Sequence, residues 1–372
     1  ASGGTSQALG FDVVVDGDTI SGVSTGDNIP SDQNTLTVIS FDEATSNEIC
    51  FTGSWIKTYT GVQYEAIIGS CIDSEQFLSN TVSYSFGLHY GANLVSFHAL
   101  PEDVSVGNVM ESLGDAVTGV IGEGVAASPN PVLGRVGSLS DISRVSGYWI
   151  KMNDTALLSL DEALPTDPGI VYDIHYGANL ISFPIAGQVD IGEALPDDIE
   201  GNIIGVIGEG VAASPNPVLG WVGSLDEWEG TKGYWLKSNA TFSFSFNLSE
   251  TSSRISGDND AYSPYEYDQS MEQSFYFIDQ LDDAGLGIRE GDWILAYENN
   301  VLVGARQWRG EYLTDIPAMG NDGGFETVGY CSPGSIPEFK WVHSDGQMIS
   351  LTGNIPEWSS NEIYHVSLSA ED

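Results

Sequence analysis

Sixteen residues, GVIGEGVAASPNPVLG, occur twice without change, at 119–134 and at 205–220. HYGANL stands at 89–94 and again at 175–180, and GYWIK at 147–151 is answered by GYWLK at 233–237. One displacement of 86 residues separates all three pairs. The register slips by one residue between the first two landmarks and then recovers. A chain that repeats a unit of about 80 residues must build one fold twice, and this period is too long for a short-repeat solenoid. A unit of that size can hold its own core.

Each unit reads mostly as strands. NLVSFHAL and NLISFPIA enter a core, and VTGVIGEG and IIGVIGEG read as buried strands. Between them lie short helical stretches, SVGNVMESL in the first copy and DIGEALPDDI in the second. The SPNP segments are expected to be neither helix nor central strand, because proline removes a donor and fixes φ. GYWIKM and GYWLKS close each unit with an aromatic strand.

The flanking segments are also strand-rich. FDVVVDGDTISGV alternates about Asp16-Gly17, a hairpin signal, and further short strands run to TVSYSF. After a polar, turn-rich stretch near 251–270, strands resume, with Asn299-Asn300 and Asp345-Gly346 at expected hairpin turns. The expected architecture is mainly β: four antiparallel, sandwich-like modules in tandem, with short helices in the two central repeats. Their expected bounds are 1–84, 85–163, 164–250 and 251–372.

The 372 residues include 53 acidic and 11 basic ones, a formal net charge of −42. Hydrophobic residues at 41% and aromatics at 10% fit packed cores, not a disordered acidic chain. Nothing in such a chain can neutralise phosphates, so nucleic acid is excluded as a partner. The charge argues equally against docking on anionic lipid. No run of about 20 apolar residues is present, so no membrane-spanning helix is expected. Self-repulsion at this charge is relieved by salt, which shortens the Debye length from about 8 Å at physiological strength to about 3 Å at 1 M. A saline exterior or bound divalent cations suit the chain. The opening residues ASGGTSQALG lack a cationic or apolar leader, as expected for a mature secreted form.

The repeat motifs resemble a module common in secreted and surface-attached bacterial proteins. There the order is G-W-N-L-I-S at the start, a short helix, and G-Y-W-V at the end. The resemblance covers about 86–160 and 172–246, with Ala92 and Ala178 where the module usually has Trp. The last segment, with GDWILAYENNVLVGARQW, DIPAMGNDGG and SPGSIPEFK, resembles β-rich modules in large extracellular proteins of marine bacteria. Both resemblances imply an extracellular, structural or adhesive setting, and neither brings a catalytic residue set.

Candidate sites are few. Residues 122–127 and 208–213 fit a GxGxxA fingerprint, but Pro129 and Pro131 forbid the helix whose amides would hold a pyrophosphate. Residues 22–26 fit GxSxG, but a loop follows where a nucleophile elbow needs a helix. His89 and His175 recur beside Tyr90 and Tyr176, and duplication alone accounts for that. For calcium, the best cluster of hard oxygen ligands is Asp258, Asp260, Glu266 and Asp268. Weaker groups are Asp16/Asp18 and Asp279/Asp282/Asp283. None completes an EF-hand loop. Cys50 and Cys71 are candidates for a disulfide worth roughly 3 kcal/mol. Cys331 is left over, either buried or free. Trp293, Trp308 and Trp341 are candidates for gripping sugar rings, with core packing as the alternative, and Arg289, Arg306 and Arg309 are expected to pair with nearby acids.

The expected function is therefore an extracellular structural protein, a self-assembling surface or filament subunit with no catalytic activity. Its partner would be copies of itself, and residues 1–10 could complete a neighbour's sheet by strand addition. The alternatives are an adhesin or glycan-binding protein reading surface glycans through its last domain, and the accessory modules of a larger secreted hydrolase.

Overall fold

A computed structural model describes residues 81–130, 134–248 and 263–371, together with short strands before residue 80. The described residues are mainly β, in several largely antiparallel sheets. The chain divides into two compact units, 1–80 and 81–372.

In the first unit, strands Phe11–Asp16 and Thr19–Ser24 pair antiparallel with Asp16 opposite Thr19, the register of the expected hairpin. Glu48 pairs with Asp73 and Ile49 with Ile72. The next residue inward on each side is a cysteine. Cys50 and Cys71 themselves lie outside the described residues.

In the second unit each repeat forms a five-stranded sheet. The first has the order Gly134–Gly137, Val125–Asn130, Val117–Gly122, Tyr148–Met152, Gly91–Val95, and the second keeps it in equivalent strands. Short helices Val106–Val109 and Asp197–Glu200 lie where the sequence placed helical stretches. One reading needs correction. TVSYSF belongs to the first repeat, not to the amino-terminal segment: strand Val82–Leu88 pairs with Ala156–Pro165, so the boundary falls near 80. The SPN residues extend strands Val125–Asn130 and Ala212–Asn216 as stretches paired on one side only, neither helix nor central strand. Pro129 is tolerated because its stretch pairs only with Arg135, while pairing with the other neighbour stops at Ala127. The missing donor thus faces no ladder.

The carboxy-terminal module is one seven-stranded sheet, and it is not wholly antiparallel. Strands Gln273–Asp282 and Glu362–Ala370 run parallel. Asn299 and Asn300 both adopt positive φ (46° and 67°), as a type I′ hairpin turn demands. This module packs on the second repeat, where Phe275, Phe277 and Ile363 cover Ile207, Ala212 and Val222. Two arginines fasten it: Arg306 Nη2 donates to Gly210 O at 2.7 Å and Arg309 Nη1 to Gly223 O at 3.1 Å. Arg306 also pairs at 3.2 Å with the fully buried Asp315, whose pKa burial drives upward while Arg306 opposes the rise.

Peptide mapping without reductant is expected to recover a Cys50–Cys71 linked peptide. Two alkylatable thiols at these positions in folded protein refute that pairing.

Candidate functional site

The HYGANL motif is a self-fastened turn. Gly91 and Gly177 take φ of 96° and 105°, where a side chain would be strained. Asn93 Oδ1 accepts from His89 N at 2.8 Å and its Nδ2 donates to His89 O at 2.9 Å. Asn179 does the same for His175 at the same distances. Each turn thereby holds its histidine in one place.

Each histidine meets the glutamate of the other repeat. His89 Nε2 lies 2.5 Å from Glu209 Oε1, and Glu209 Oε2 accepts from Leu94 N at 2.7 Å. His175 Nε2 lies 2.6 Å from Glu123 Oε1, and Glu123 Oε2 accepts from Leu180 N at 2.9 Å. All these residues are related by the 86-residue displacement, so the repeats contact each other about a pseudo-twofold axis. Backbone bonds obey the same exchange. Gly147 N donates to Leu180 O and Gly233 N to Leu94 O; Ser96 N donates to Thr231 O and Ser182 N to Val145 O. The glycine of each GYW motif sits at the closest approach. A Cβ on Gly233 would lie 2.6 Å from Val95 O, and one on Gly147 would lie 2.9 Å from Ile181 O and 3.2 Å from the Gly233 Cα. Ala92, Leu94, Trp149 and Leu180 are buried together in this junction, with Trp235 packed against them.

A cavity of about 590 Å³ opens beside the His89 side of the junction, between the repeats and the carboxy-terminal module. Its charged groups are tied to one another. Lys151 Nζ lies 3.1 Å from Asp322 Oδ2, and Asp322 is almost fully buried. Burial opposes ionisation of Asp322, yet donors from Gly324 N, Thr327 Oγ1 and Lys151 hold its pKa below the usual carboxylate value. The Tyr90 hydroxyl donates to Glu326, which lowers the Glu326 pKa and raises that of Tyr90. The bond to Glu209 raises the His89 pKa despite burial, and the Tyr176 carbonyl followed by Glu123 raises that of His175. Cys331 is free and buried, and burial pushes its thiol up to about 12. It packs in the core of the last module as a small apolar residue. The cavity thus offers hydrogen-bonding groups to a polar solute, while its histidine is already held by a carboxylate.

The candidate residues fare differently. Trp341 is fully buried, its Nε1 donating to Asp292 Oδ2 at 3.0 Å, and Trp308 is buried in the same core. Neither offers a ring face to a sugar, which corrects that part of the expectation. Trp341 pairs with Ile294 across the sheet and Trp293 with Val342, so side-chain alternation sends Trp293 to the opposite face. There it is half-buried, 5.4 Å from the Tyr265 ring. Asp258 and Asp260 lie outside the described residues. Glu266 and Asp268 are exposed, alternating with the half-buried Tyr265 and Tyr267, and Asp268 lines the cavity. Among the described residues, no three His, Cys, Asp or Glu side chains converge as metal ligands would. Sequence reading missed Glu123 and Glu209, although they recur at the same displacement as the histidines. No protein-family model matches the chain, and no curated protein matches its sequence.

Replacing Gly233 by Val forces a branched side chain against Val95 O and is expected to lower stability by roughly 1–3 kcal/mol, read as a lower denaturation midpoint. An unchanged midpoint would show that the junction yields freely. A histidine whose folded pKa exceeds its unfolded value, ordinarily about 6.5, adds stability below that value and loses it as pH rises through the folded one. The Tm gap between the native chain and an H89A/H175A variant is therefore expected to be wider near pH ~5.5 than near pH ~9. At this exposure each pair is worth at most about 1 kcal/mol. A gap that stays constant or widens with pH refutes the assignment.

Proposed function

We propose that the protein is an extracellular structural chain, a self-assembling surface or filament subunit without catalytic activity of its own. The observation that carries this reading is the reciprocal junction. The residues that recur most faithfully in the repeats, His, Asn and Gly of HYGANL and Glu of GEG, join one β module to the other. Their chemistry is engaged in holding modules in a fixed geometry, which is the work of a scaffold. The charge of −42 supports an exterior, saline setting, where screening at about 1 M salt lets such chains approach one another. Strand addition by residues 1–10 is the proposed route of polymerisation.

A second reading, glycan binding, keeps one specific support. Trp293, Tyr265 and Tyr297 form a half-buried aromatic group, with Lys340 Nζ 4.6 Å from the Tyr297 ring centre. Flat rings of this kind pack on the apolar faces of sugars.

Negative-stain electron microscopy of the full chain in high salt is expected to show linear assemblies, and deletion of residues 1–10 is expected to abolish them. Dispersed single particles at all concentrations would sink the assembly reading. Specific retention on a polysaccharide by such particles, lost on Trp293→Ala, would favour glycan binding.

A further inference from the structure

The two repeats present the same sheet face in different surroundings. On the second repeat this face is buried beneath the carboxy-terminal module. A Cβ on Gly205 would lie 2.4 Å from Ile363 Cδ1, and one on Gly223 would lie 2.9 Å from the Phe277 ring. Ser224 Oγ donates to Asp315 Oδ2 at 2.7 Å, and Ser214 Oγ stands 3.3 Å from His365 Nε2. The equivalent positions of the first repeat are Gly119, Ile121, Ala126, Ser128, Val136 and Gly137, each identical to its counterpart. Four of these six, Ala126, Ser128, Val136 and Gly137, are exposed. Val222 is 4% exposed, whereas Val136 is 38% exposed.

Sequence identity here is not uniform across the repeats. Position 118 is Thr against Ile204, 135 is Arg against Trp221, and the helical stretches share little. The face itself keeps every residue. The residues that receive a sheet module on one repeat are thus retained on the other, where Ala126, Ser128, Val136 and Gly137 are uncovered.

We infer that the exposed face of the first repeat is an interface between two copies of this chain, packed face to face about a twofold axis. The carboxy-terminal module is held by the second repeat, and the four exposed positions have no cover among the described residues. Charge favours a second copy as the occupant. On a chain of net charge −42 these six strand positions carry no carboxylate, and Glu123 in the turn at one end is held by His175. A second copy can approach most closely where both surfaces lack charge, and that is the same face on each. Glycine, alanine and serine make the face flat, and Val136 projects from it. Contacts of this symmetry are self-complementary, and the repeats already meet each other in that manner within one chain. The inference rests on the self-assembly reading and supplies one of its contacts.

The test is the molar mass of the full chain across a concentration series at about 1 M salt, where charge repulsion is screened. The native chain is expected to pass from monomer to dimer. Val136→Asp, and independently Ala126→Arg, are expected to raise the dissociation constant at least about tenfold, a change of 1.4 kcal/mol. Both sites are exposed, and an unchanged far-ultraviolet dichroism spectrum certifies that each variant is folded. A native chain that stays monomeric overturns the inference. Association unaltered in both variants also overturns it, while leaving self-assembly through other contacts standing.

Discussion

The exchange of side chains between the repeats fixes how the two central modules are joined. Each repeat gives a histidine and receives a glutamate, and each GYW glycine lets the other backbone close in. The contact needs no long helix or large apolar slab. A small buried cluster around Leu94, Leu180 and Trp149 excludes water, and backbone bonds that cross the axis in matched pairs set the orientation. Because the donors and acceptors are main-chain groups fixed by sheet register, the geometry is pinned more tightly than side-chain contacts alone would pin it.

The scarcity of cations gives the few present unusual weight. Arg306 and Arg309 do more than offset local acids. Their guanidinium groups donate to backbone carbonyls of the second repeat and so latch the last module in place. Lys151 and Lys237 do similar work through Asp322 and Glu362. A chain with 11 basic residues has placed at least four of them at joints between modules, where desolvation makes a hydrogen bond to a charged group count most.

Much of the architecture was legible because its signals are local. The 86-residue displacement announced two copies of one fold, and alternation with Asn-Asn and Asp-Gly turns announced hairpins. The boundary near 80 was not legible, since Val82–Leu88 finds its partner seventy-odd residues later in Ala156–Pro165, and nothing in TVSYSF states that pairing. The strand character of Pro129 was hidden for a related reason: whether a missing donor matters depends on which neighbour runs alongside. The tryptophans show the same limit. Trp293 and Trp341 look alike in sequence, yet strand alternation and register put one outside and one in the core. His89 and Glu209 were each visible, and both recurred, but only the folded axis brings positions 120 residues apart into contact.

The twofold relation between the repeats has a consequence for how such a joint behaves on dilution. Two separate chains meeting in this way would form a symmetric homodimer whose halves part as concentration falls. Covalent linkage turns that encounter into an intramolecular one, with an effective concentration that short linkers set in the millimolar range. A modest contact thereby ceases to depend on how many chains are present, and dilution leaves the arrangement intact.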